Sequence, residues 1–179
     1  MEQPRQLRNL ALIGFMGVGK SSVGRQVADM MHFTFLDTDD VIEAWAGKSI
    51  RGIFEQDGEA AFRTWEQKLV HELTRRDRTV ISAGGGLPAH NDNLASLRTH
   101  ALIVCLWASP EKIYERVRWQ SHRPLLNEPD PLAKIHQLLA EREPYYRQAD
   151  VLVNTGFRSV REVAAQVAHQ FRLAQAAHR

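Results

Sequence analysis

The sequence of 179 residues has one cysteine, no long hydrophobic run and no large excess of either charge. Cys105 cannot form a disulfide bond within the chain, which favours a reducing compartment, the cytoplasm, and a lone apolar cysteine is usually a packing residue. The longest apolar run, Ala101–Ala108, is far shorter than a membrane span. Lys and Arg number 23 against 21 Asp and Glu, a formal net charge of +2. No basic stripe accompanies this balance, so we expect neither a membrane nor a nucleic acid as partner.

Short apolar runs alternate with longer helical patterns along the whole chain. We predict five strands from these runs: Leu10–Phe15, Phe33–Leu36, Thr79–Ala83, Ala101–Ala108 and Val151–Asn154. Near-continuous apolar strands are typical of a parallel sheet covered by helices on both faces. The predicted fold is therefore α/β, a three-layer α/β/α arrangement with ligands at the carboxyl ends of the strands. No repeat or linker interrupts it, so we predict one domain, residues 1–179.

Capping signals mark the starts of three predicted helices. Ser109 and Asp130 each stand directly before a proline, a residue favoured at the first position of a helix. Ser159 and Glu162 have the spacing of a capping box. Residues Gln120–Asp130 show little periodicity and are long for a connection in a compact domain. This segment is either a mobile lid or a plain surface loop.

The segment Gly14–Ser21 fits the phosphate-binding pattern G-x4-G-K-[ST], between a predicted strand and a predicted helix, Ser22–Met31. Glycines let successive backbone N–H groups point at phosphate oxygens, and the helix N-terminus adds its dipole. Lys20 suits the β- and γ-phosphates, and the Ser21 hydroxyl suits Mg²⁺. The segment therefore predicts binding of a nucleoside triphosphate. Its predicted nucleotide contacts are Gly17, Val18, Gly19, Lys20, Ser21 and Ser22.

Three carboxylates, Asp37, Asp39 and Asp40, follow the second predicted strand. Asp40 has a structural explanation, because it can cap the next helix with Glu43 completing a capping box. That leaves Asp37 and Asp39 on alternate sides of the chain. One is suited to hold a metal-bound water, and the other to accept a proton or hydrogen bond from a substrate hydroxyl. Ordinary surface acidity is the alternative.

Further candidates lie later in the chain. Arg63 and Glu66 share one face of the predicted helix Gly58–Arg76, either as an ordinary ion pair or with Glu66 orienting Arg63 toward a substrate carboxylate. The triplet Gly84–Gly86 ends a predicted strand, and its entropic cost indicates that another group approaches the backbone closely. Arg123 lies in the candidate lid, where closure could bring it onto a transferring γ-phosphate.

In combination, these motifs resemble those of the shikimate kinases through nearly the whole chain. The segments that carry the resemblance are Gly14–Ser21, Asp37–Asp39, Ile53–Glu55, Gly58–Glu66, Gly84–Gly86, Arg123–Leu126 and Arg142–Tyr146. The phosphate loop is shared by many families, whereas Asp-Thr-Asp, Phe-Arg-x-x-Glu and Arg-Pro-Leu-Leu in this order are much more specific. The resemblance implies a P-loop kinase fold with a five-stranded parallel sheet and a mobile lid at about 120–130. It also implies transfer of the γ-phosphate of ATP to the 3-hydroxyl of shikimate, in the pathway to chorismate and the aromatic amino acids.

The resemblance further implies roles for residues around the transferring phosphate. Lys20 would hold that phosphate, and Arg123 would approach it with the lid. Ser21 would bind one Mg²⁺, which Asp37 would contact through water. Asp39 would hydrogen-bond the reacting hydroxyl and orient or deprotonate it.

Other implied roles concern the two ends of the substrates. Arg63 and Arg142 would clamp the shikimate carboxylate, with the backbone of Gly85 lining the same pocket. Arg116 matches the arginine that lies against adenine in the family, and Asn154 is a further candidate contact on the adenine side.

Two other functions stay open from the residues alone. A P-loop kinase of another small hydroxy acid, such as gluconate, would share the phosphate loop but has no reason to combine Arg63, Glu66 and Arg142. A non-catalytic nucleotide-binding module would have no use for a hydroxyl acceptor at Asp39. No heptad pattern or large apolar stretch calls for an oligomer, so we expect a monomer that binds ATP and shikimate.

Overall fold

The protein is described by a computed structural model that covers residues 5–90, 92–119 and 129–177. Its strands are β1 Asn9–Ile13, β2 Thr34–Asp37, β3 Thr79–Ser82, β4 Ala101–Trp107 and β5 Val151–Asn154. They form one parallel sheet in the order β2-β3-β1-β4-β5. All five predicted strands are confirmed, with small shifts at their ends.

Helices cover both faces of this sheet. In the described residues they are α1 Lys20–Met31, α2 Thr38–Ala46, α3 Ile50–Gln56, α4 Glu59–Leu73, α5 Asn93–Arg98, α6 Pro110–Val117, α7 Pro131–Tyr146 and α8 Val160–Ala177, with a 3-10 turn at Leu87–Ala89. The connection from β1 to β2 runs toward one edge of the sheet, whereas the connections after β2 run toward the other edge. Because such crossovers are right-handed, the helix after β1 and the helices of the later connections lie on opposite faces. Accordingly α1 packs against α8, whereas α4 packs against α5 and α6 against α7. The three-layer prediction is confirmed. Among the described helices, none combines the length and apolar character that a membrane crossing needs.

The three predicted capping signals are confirmed. Ser109 and Asp130 each accept a hydrogen bond from the backbone N–H three residues further on, at 3.3 and 3.0 Å. Ser159 accepts from the N–H of Glu162 at 3.3 Å, while the Glu162 carboxylate accepts from the N–H of Ser159 at 2.8 Å. Each cap satisfies backbone groups that a helix start leaves without partners.

The predicted cap at Asp40 is wrong. The helix α2 begins at Thr38, and its cap is Asp37, which accepts a hydrogen bond from the N–H of Asp39 at 3.1 Å. Asp40 lies exposed in the first turn. The helix starts earlier because β2 runs into α2 with no connecting residue between them. One residue, Asp37, therefore ends the strand and caps the helix.

The core of the sheet is β1, every residue of which is buried. Cys105 of β4 pairs in register with Ile13 at the end of β1 and is buried as well. Burial raises the pKa of the Cys105 thiol to about 11, so the thiol stays protonated at neutral pH. It is a packing residue, as predicted.

The predicted lid, residues 120–130, falls almost wholly outside the described residues. Only Pro129 and Asp130 of this segment are described, and Asp130 caps α7. Arg123 lies outside the described residues, and its role stays a prediction.

Candidate active site

A cavity of about 600 Å³ opens at the carboxyl edge of the sheet. It is bounded by the phosphate loop, the ends of β2 and β3, the glycine triplet, and side chains from α4, α6 and α7. The predicted site residues that line it are Gly17, Gly19, Lys20, Ser21, Ser22, Asp37, Asp39, Arg63, Gly85, Arg116 and Arg142. Residues from distant parts of the sequence thus meet where parallel sheets bind ligands.

The phosphate loop folds back over the N-terminus of α1. Gly17 and Gly19 have φ angles of 76° and 94°, in the left-handed region that glycine adopts most readily. The helix begins directly afterwards, so the first residues of α1 bring N–H groups without helical partners to the cavity wall. The Lys20 ammonium donates to the carbonyl oxygens of Gly14 and Phe15, at 2.9 Å each. The loop is therefore a positively polarised cradle suited to phosphate oxygens.

Three oxygen-bearing side chains meet beside this cradle. The Ser21 hydroxyl donates to Oδ2 of Asp37 at 2.8 Å, and it lies 3.4 Å from the hydroxyl oxygen of Ser82. Sheet register explains the cluster, because Asp37 and Ser82 are paired at the ends of β2 and β3. No group of three or more His, Cys, Asp or Glu suited to a metal occurs among the described residues. Mg²⁺ in kinases takes few protein ligands besides phosphates and water, so this oxygen set fits it.

Asp39 is the second carboxylate of the cavity. Burial raises its pKa to about 6, the charge of Asp37 contributes to the rise, and the ammonium of Lys20 opposes both effects. The backbone of Gly84 approaches so closely that a Cβ atom there would lie 2.7 Å from Oδ1 of Asp39. The buried Thr38 holds this approach, since its hydroxyl accepts a hydrogen bond from the N–H of Gly84 at 2.8 Å. A carboxylate with such a pKa is suited to exchange a proton near neutral pH.

Arg63 is held from two sides on α4. Its Nη1 donates to Oε2 of the buried Glu66 at 2.7 Å, and its Nη2 donates to Oε1 of the exposed Glu59 at 2.8 Å. Burial raises the pKa of Glu66, and the hydrogen bond from Arg63 opposes that rise. A Cβ atom at Gly86 would lie 3.4 Å from Nη1 of Arg63. The Arg63–Glu66 pair is an ion pair, and it holds the guanidinium beside the glycine triplet; the orientation toward a substrate carboxylate stays a prediction.

Arg142 reaches the triplet from α7. A Cβ atom at Gly85 would lie 3.2 Å from Nη1 of Arg142, whose guanidinium lies 5.3 Å from the centre of the Phe15 ring. Burial lowers the pKa of His90, and the charges of Arg63 and Arg142 lower it further. Two guanidinium groups therefore create a positive potential at this end of the cavity, opposite in sign to that of Asp39.

Arg116 reaches the cavity wall from α6. Its Nη1 lies 3.3 Å from the carbonyl oxygen of Gly17, and its Nη2 donates to the carbonyl oxygen of Thr155 at 2.5 Å. Asn154 is outside the cavity lining, and its Oδ1 accepts a hydrogen bond from the N–H of Gly156 at 2.7 Å. Val18 is buried and is outside the cavity lining as well, so its contact with a nucleotide stays a prediction.

Sequence analysis missed several residues of the cavity wall. Its apolar part is formed by Met16, Ile50, Phe54 and Phe62. Phe54 and Phe62 pack with ring centres 4.8 Å apart and planes tilted by 41°, and both lie in segments that carried the family resemblance. Ser82 was detectable as a polar residue at the carboxyl end of an apolar strand.

The sequence comparisons match this chain to shikimate kinases. The sequence model described as Shikimate kinase matches residues 16–172. The shikimate kinase of Caldanaerobacter subterraneus is 42% identical over 161 residues, which cover 90% of this chain and 94% of that protein. The shikimate kinase of Thermus thermophilus is 43% identical over 168 residues, which cover 93% of this chain and 91% of that protein.

Solved structures agree with the sequence matches. Shikimate kinase from Acinetobacter baumannii in complex with shikimate superposes with a TM-score of 0.86 at 36% identity, covering 94% of each chain. A gluconokinase from Sinorhizobium meliloti superposes with a TM-score of 0.63 at 18% identity, covering 97% of this chain and 98% of that one, and it shows the shared fold alone. With the family model covering most of its length, the chain belongs to the shikimate kinase family.

Proposed function

We propose that the protein transfers the γ-phosphate of ATP to the 3-hydroxyl of shikimate, with this cavity as its active site. The observation that carries this proposal is the set of side chains against three consecutive glycines: Asp39 at Gly84, Arg142 at Gly85 and Arg63 at Gly86. Shikimate has a carboxylate at one end of its ring and hydroxyls at the other. The cavity offers guanidinium groups for the first and a carboxylate acceptor for the second, beside a phosphate loop.

Asp39 is the proposed acceptor of the hydroxyl proton. With a pKa of about 6 it is mostly ionised at neutral pH, so it can orient the hydroxyl and take its proton. A bond forms between the substrate oxygen and the γ-phosphorus, and the bond from that phosphorus to the β–γ bridging oxygen breaks. Charge collects on the transferring oxygens, where we assign Lys20 and, from the lid, Arg123.

Ser21 and Asp37 are the proposed residues for one Mg²⁺. Bound there, the ion would neutralise the charge on the phosphates of ATP. Asp37 already contacts Ser21 through Oδ2 and caps α2 through Oδ1, so both of its oxygens are held in place before any ligand binds. Arg116, Gly17, Val18, Gly19 and Ser22 are the proposed contacts to the rest of the nucleotide, and Asn154 is the weakest of these assignments.

Arg63, Arg142 and the Gly85 backbone are the proposed clamp for the shikimate carboxylate. Three of the five N–H donors of Arg63 are taken by Glu59 and Glu66, which leaves donors for a substrate and fixes their direction. A guanidinium that is already oriented loses less entropy when it binds a carboxylate.

We also propose that the chain works as one domain, residues 1–179, as a monomer in the cytoplasm. The cavity of one chain already combines the phosphate loop, a carboxylate and two guanidinium groups, which supports a site formed by a monomer. The buried free thiol of Cys105 suits a reducing compartment. Light scattering after size exclusion would test the monomer, for which a mass near 20.4 kDa is expected.

The experiment that tests this function is ADP release with ATP and Mg²⁺ in the presence of shikimate, gluconate, quinate or no acceptor. We expect release with shikimate alone, and proton and phosphorus NMR should place the phosphate on the 3-hydroxyl. The Lys20→Met variant, purified in the same way, is the control for contaminating kinases. Equal release without an acceptor would instead indicate an ATPase, and no release in any arm would indicate a nucleotide-binding module.

A further inference from the structure

A buried tyrosine contacts the glycine triplet from behind the cavity. The hydroxyl of Tyr146, near the end of α7, donates to the carbonyl oxygen of Gly85 at 2.8 Å. Tyr146 is 8% exposed and is not among the residues that line the cavity. It lies one turn after Arg142, so the two side chains share a face of the helix. One helical face therefore brings a guanidinium and a hydroxyl to the same glycine.

This contact determines more than the position of one oxygen. The carbonyl of Gly85 and the N–H of Gly86 belong to one trans peptide plane, in which the two groups point in opposite directions. Glycines on both sides leave that plane free to rotate unless something holds it. A hydroxyl bonded to the oxygen on the buried side turns the N–H of Gly86 away from Tyr146.

The N–H of Gly86 has no protein acceptor that would compete with a ligand, within the described part of the chain. No described residue accepts a hydrogen bond from it, although Gly86 lies in the cavity wall. The same peptide lies between the two guanidinium groups, with Arg142 against Gly85 and Arg63 against Gly86. An anion bound by both arginines is therefore within reach of this third donor.

We propose that Tyr146 is a positioning residue for the acceptor substrate: its hydroxyl holds the Gly85–Gly86 peptide so that the Gly86 N–H is presented to the substrate carboxylate. The identity of that substrate rests on the function proposed above, whereas the orientation of the peptide does not. Tyr146 contacts neither reactant. Its hydroxyl acts through the backbone of the triplet and also interacts with Arg142, so the amide resonances of the glycines, rather than the KM alone, report on the peptide.

The chemistry of the hydroxyl supports a permanent role as donor. Burial raises the pKa of Tyr146 to about 12, and the charge of Arg142 and its side-chain hydrogen bond with the hydroxyl oppose part of that rise. The hydroxyl therefore keeps its proton throughout the range in which Asp39 is ionised and the kinase works. A core tyrosine that merely satisfied its own hydroxyl would affect stability without distinguishing one substrate from the other.

The test compares Tyr146→Phe with Tyr145→Phe, which removes the same atom from the adjacent, exposed ring. Tyr146→Phe should raise the KM for shikimate about fivefold, the effect of one neutral hydrogen bond, and leave the KM for ATP unchanged. Tyr145→Phe should match the wild type in both. Without substrate, the Gly85 and Gly86 amide resonances should shift in Tyr146→Phe alone.

Several other results with Tyr146→Phe would overturn the proposal. An unchanged KM for shikimate, or unshifted glycine amides, would show that the hydroxyl does not orient the peptide. An equal rise in both KM values, or loss of the folded state, would make Tyr146 a structural core residue. Absence of shikimate turnover in the wild type would refute the proposed function instead, and the amide shifts would still test the peptide.

Discussion

A Cβ atom at Gly84 would lie 2.7 Å from Oδ1 of Asp39, closer than side-chain carbons approach a carboxylate oxygen. At the next two glycines a Cβ atom would lie 3.2 Å from Nη1 of Arg142, which is tight, and 3.4 Å from Nη1 of Arg63, which is an ordinary contact. Three functional side chains from α2, α7 and α4 therefore meet on one strip of bare backbone. At Gly84, glycine is therefore a requirement of the site rather than of the turn alone.

Gly84→Ala should reduce kcat/KM for shikimate by about two orders of magnitude, because a displacement of about 1 Å at a reacting group has that effect. The added methyl collides with Asp39, which must move, while the phosphate loop stays in place. Steady-state kinetics with both substrates would measure this.

The matched control is Gly52→Ala, outside the cavity on α3, where the new Cβ would lie 3.3 Å from the Ser49 hydroxyl oxygen. Activity in this variant should equal that of the wild type. Wild-type kinetics in Gly84→Ala would contradict the tight approach of Asp39.

The pH profile of kcat/KM should have an acidic limb near pH 6. This ratio reports the pKa of groups in the free enzyme, and the pKa of Asp39 there is about 6. Protonation removes the acceptor, so the rate should fall about tenfold per pH unit below that value. A profile that stays flat down to pH 5 would show that Asp39 does not exchange the proton.

Asp39→Asn should lose activity and gain stability at neutral pH. The folded protein raises the pKa of Asp39 from 3.8 to about 6, so it binds more protons than the unfolded chain in this range. Stability is therefore lost as pH rises from 3.8 to 6. The variant should be more stable by about 1–3 kcal/mol at pH 7.5.

Urea unfolding of the wild type and Asp39→Asn at pH 7.5 and pH 4 would measure this gain. The difference between the two proteins should shrink toward zero at the lower pH. A variant less stable than the wild type at pH 7.5 would contradict the burial of an ionised carboxylate at this position.

The parts of the site that follow from local pattern were predictable from the sequence. The phosphate loop, the five strands and the Arg63–Glu66 pair each depend on residues only a few positions apart. The wrong cap shows the limit of this reasoning: three neighbouring carboxylates could each start α2, and propensity does not distinguish among them. Asp37 takes the position because β2 enters the helix directly.

Contacts between distant segments were not predictable in this way. Ser82 reaches Ser21 only through the register of β2 with β3, and Tyr146 reaches Gly85 only because α7 packs beside the triplet. A hydroxyl or a tyrosine has no sequence signature for such a role. Asn154 illustrates the converse, since its amide is used by its own turn.

Glu66→Gln should weaken shikimate binding without affecting ATP. Glu66 is 1% exposed and holds Nη1 of Arg63 at 2.7 Å, and the neutral amide is a weaker acceptor for a guanidinium. The KM for shikimate should rise about tenfold, the loss expected when a charge-assisted hydrogen bond is weakened.

The matched control is Glu59→Gln. Glu59 is the other carboxylate bound to Arg63, and its side chain is 59% exposed. Because exposed ion pairs contribute little to the positioning of a side chain, the KM for shikimate should change by less than about twofold in this variant. Equal effects of the two variants would show that total charge, rather than the buried contact, orients Arg63.

The wild type should lose stability in mild acid through His100. This residue directly precedes β4, so it lies at the amino ends of the strands, away from the cavity. Its Nδ1 lies 2.9 Å from Nδ2 of the buried Asn9, an amide nitrogen that can only donate, so Nδ1 must be unprotonated. Burial lowers the pKa of His100 to about 4, and the charges of Arg8 and Arg5 contribute to the fall. The unfolded chain takes up this proton from pH 6.5 downward, so stability present above pH 6.5 is lost as pH falls toward 4.

Protonation of Asp39 stabilises the folded protein as pH falls toward 4, which opposes the loss of stability caused by His100. Matched variants are therefore needed to isolate the effect of His100. His100→Gln keeps an acceptor for Asn9 and does not titrate, whereas His169→Gln removes an exposed histidine. Between pH 7.5 and pH 5, wild type and His169→Gln should lose about 2 kcal/mol more than His100→Gln in the free energy of unfolding. If the free energy of unfolding fell by the same amount in all three proteins, His100 would take up its proton without disturbing the fold. The contact with Asn9 would then not require a neutral ring.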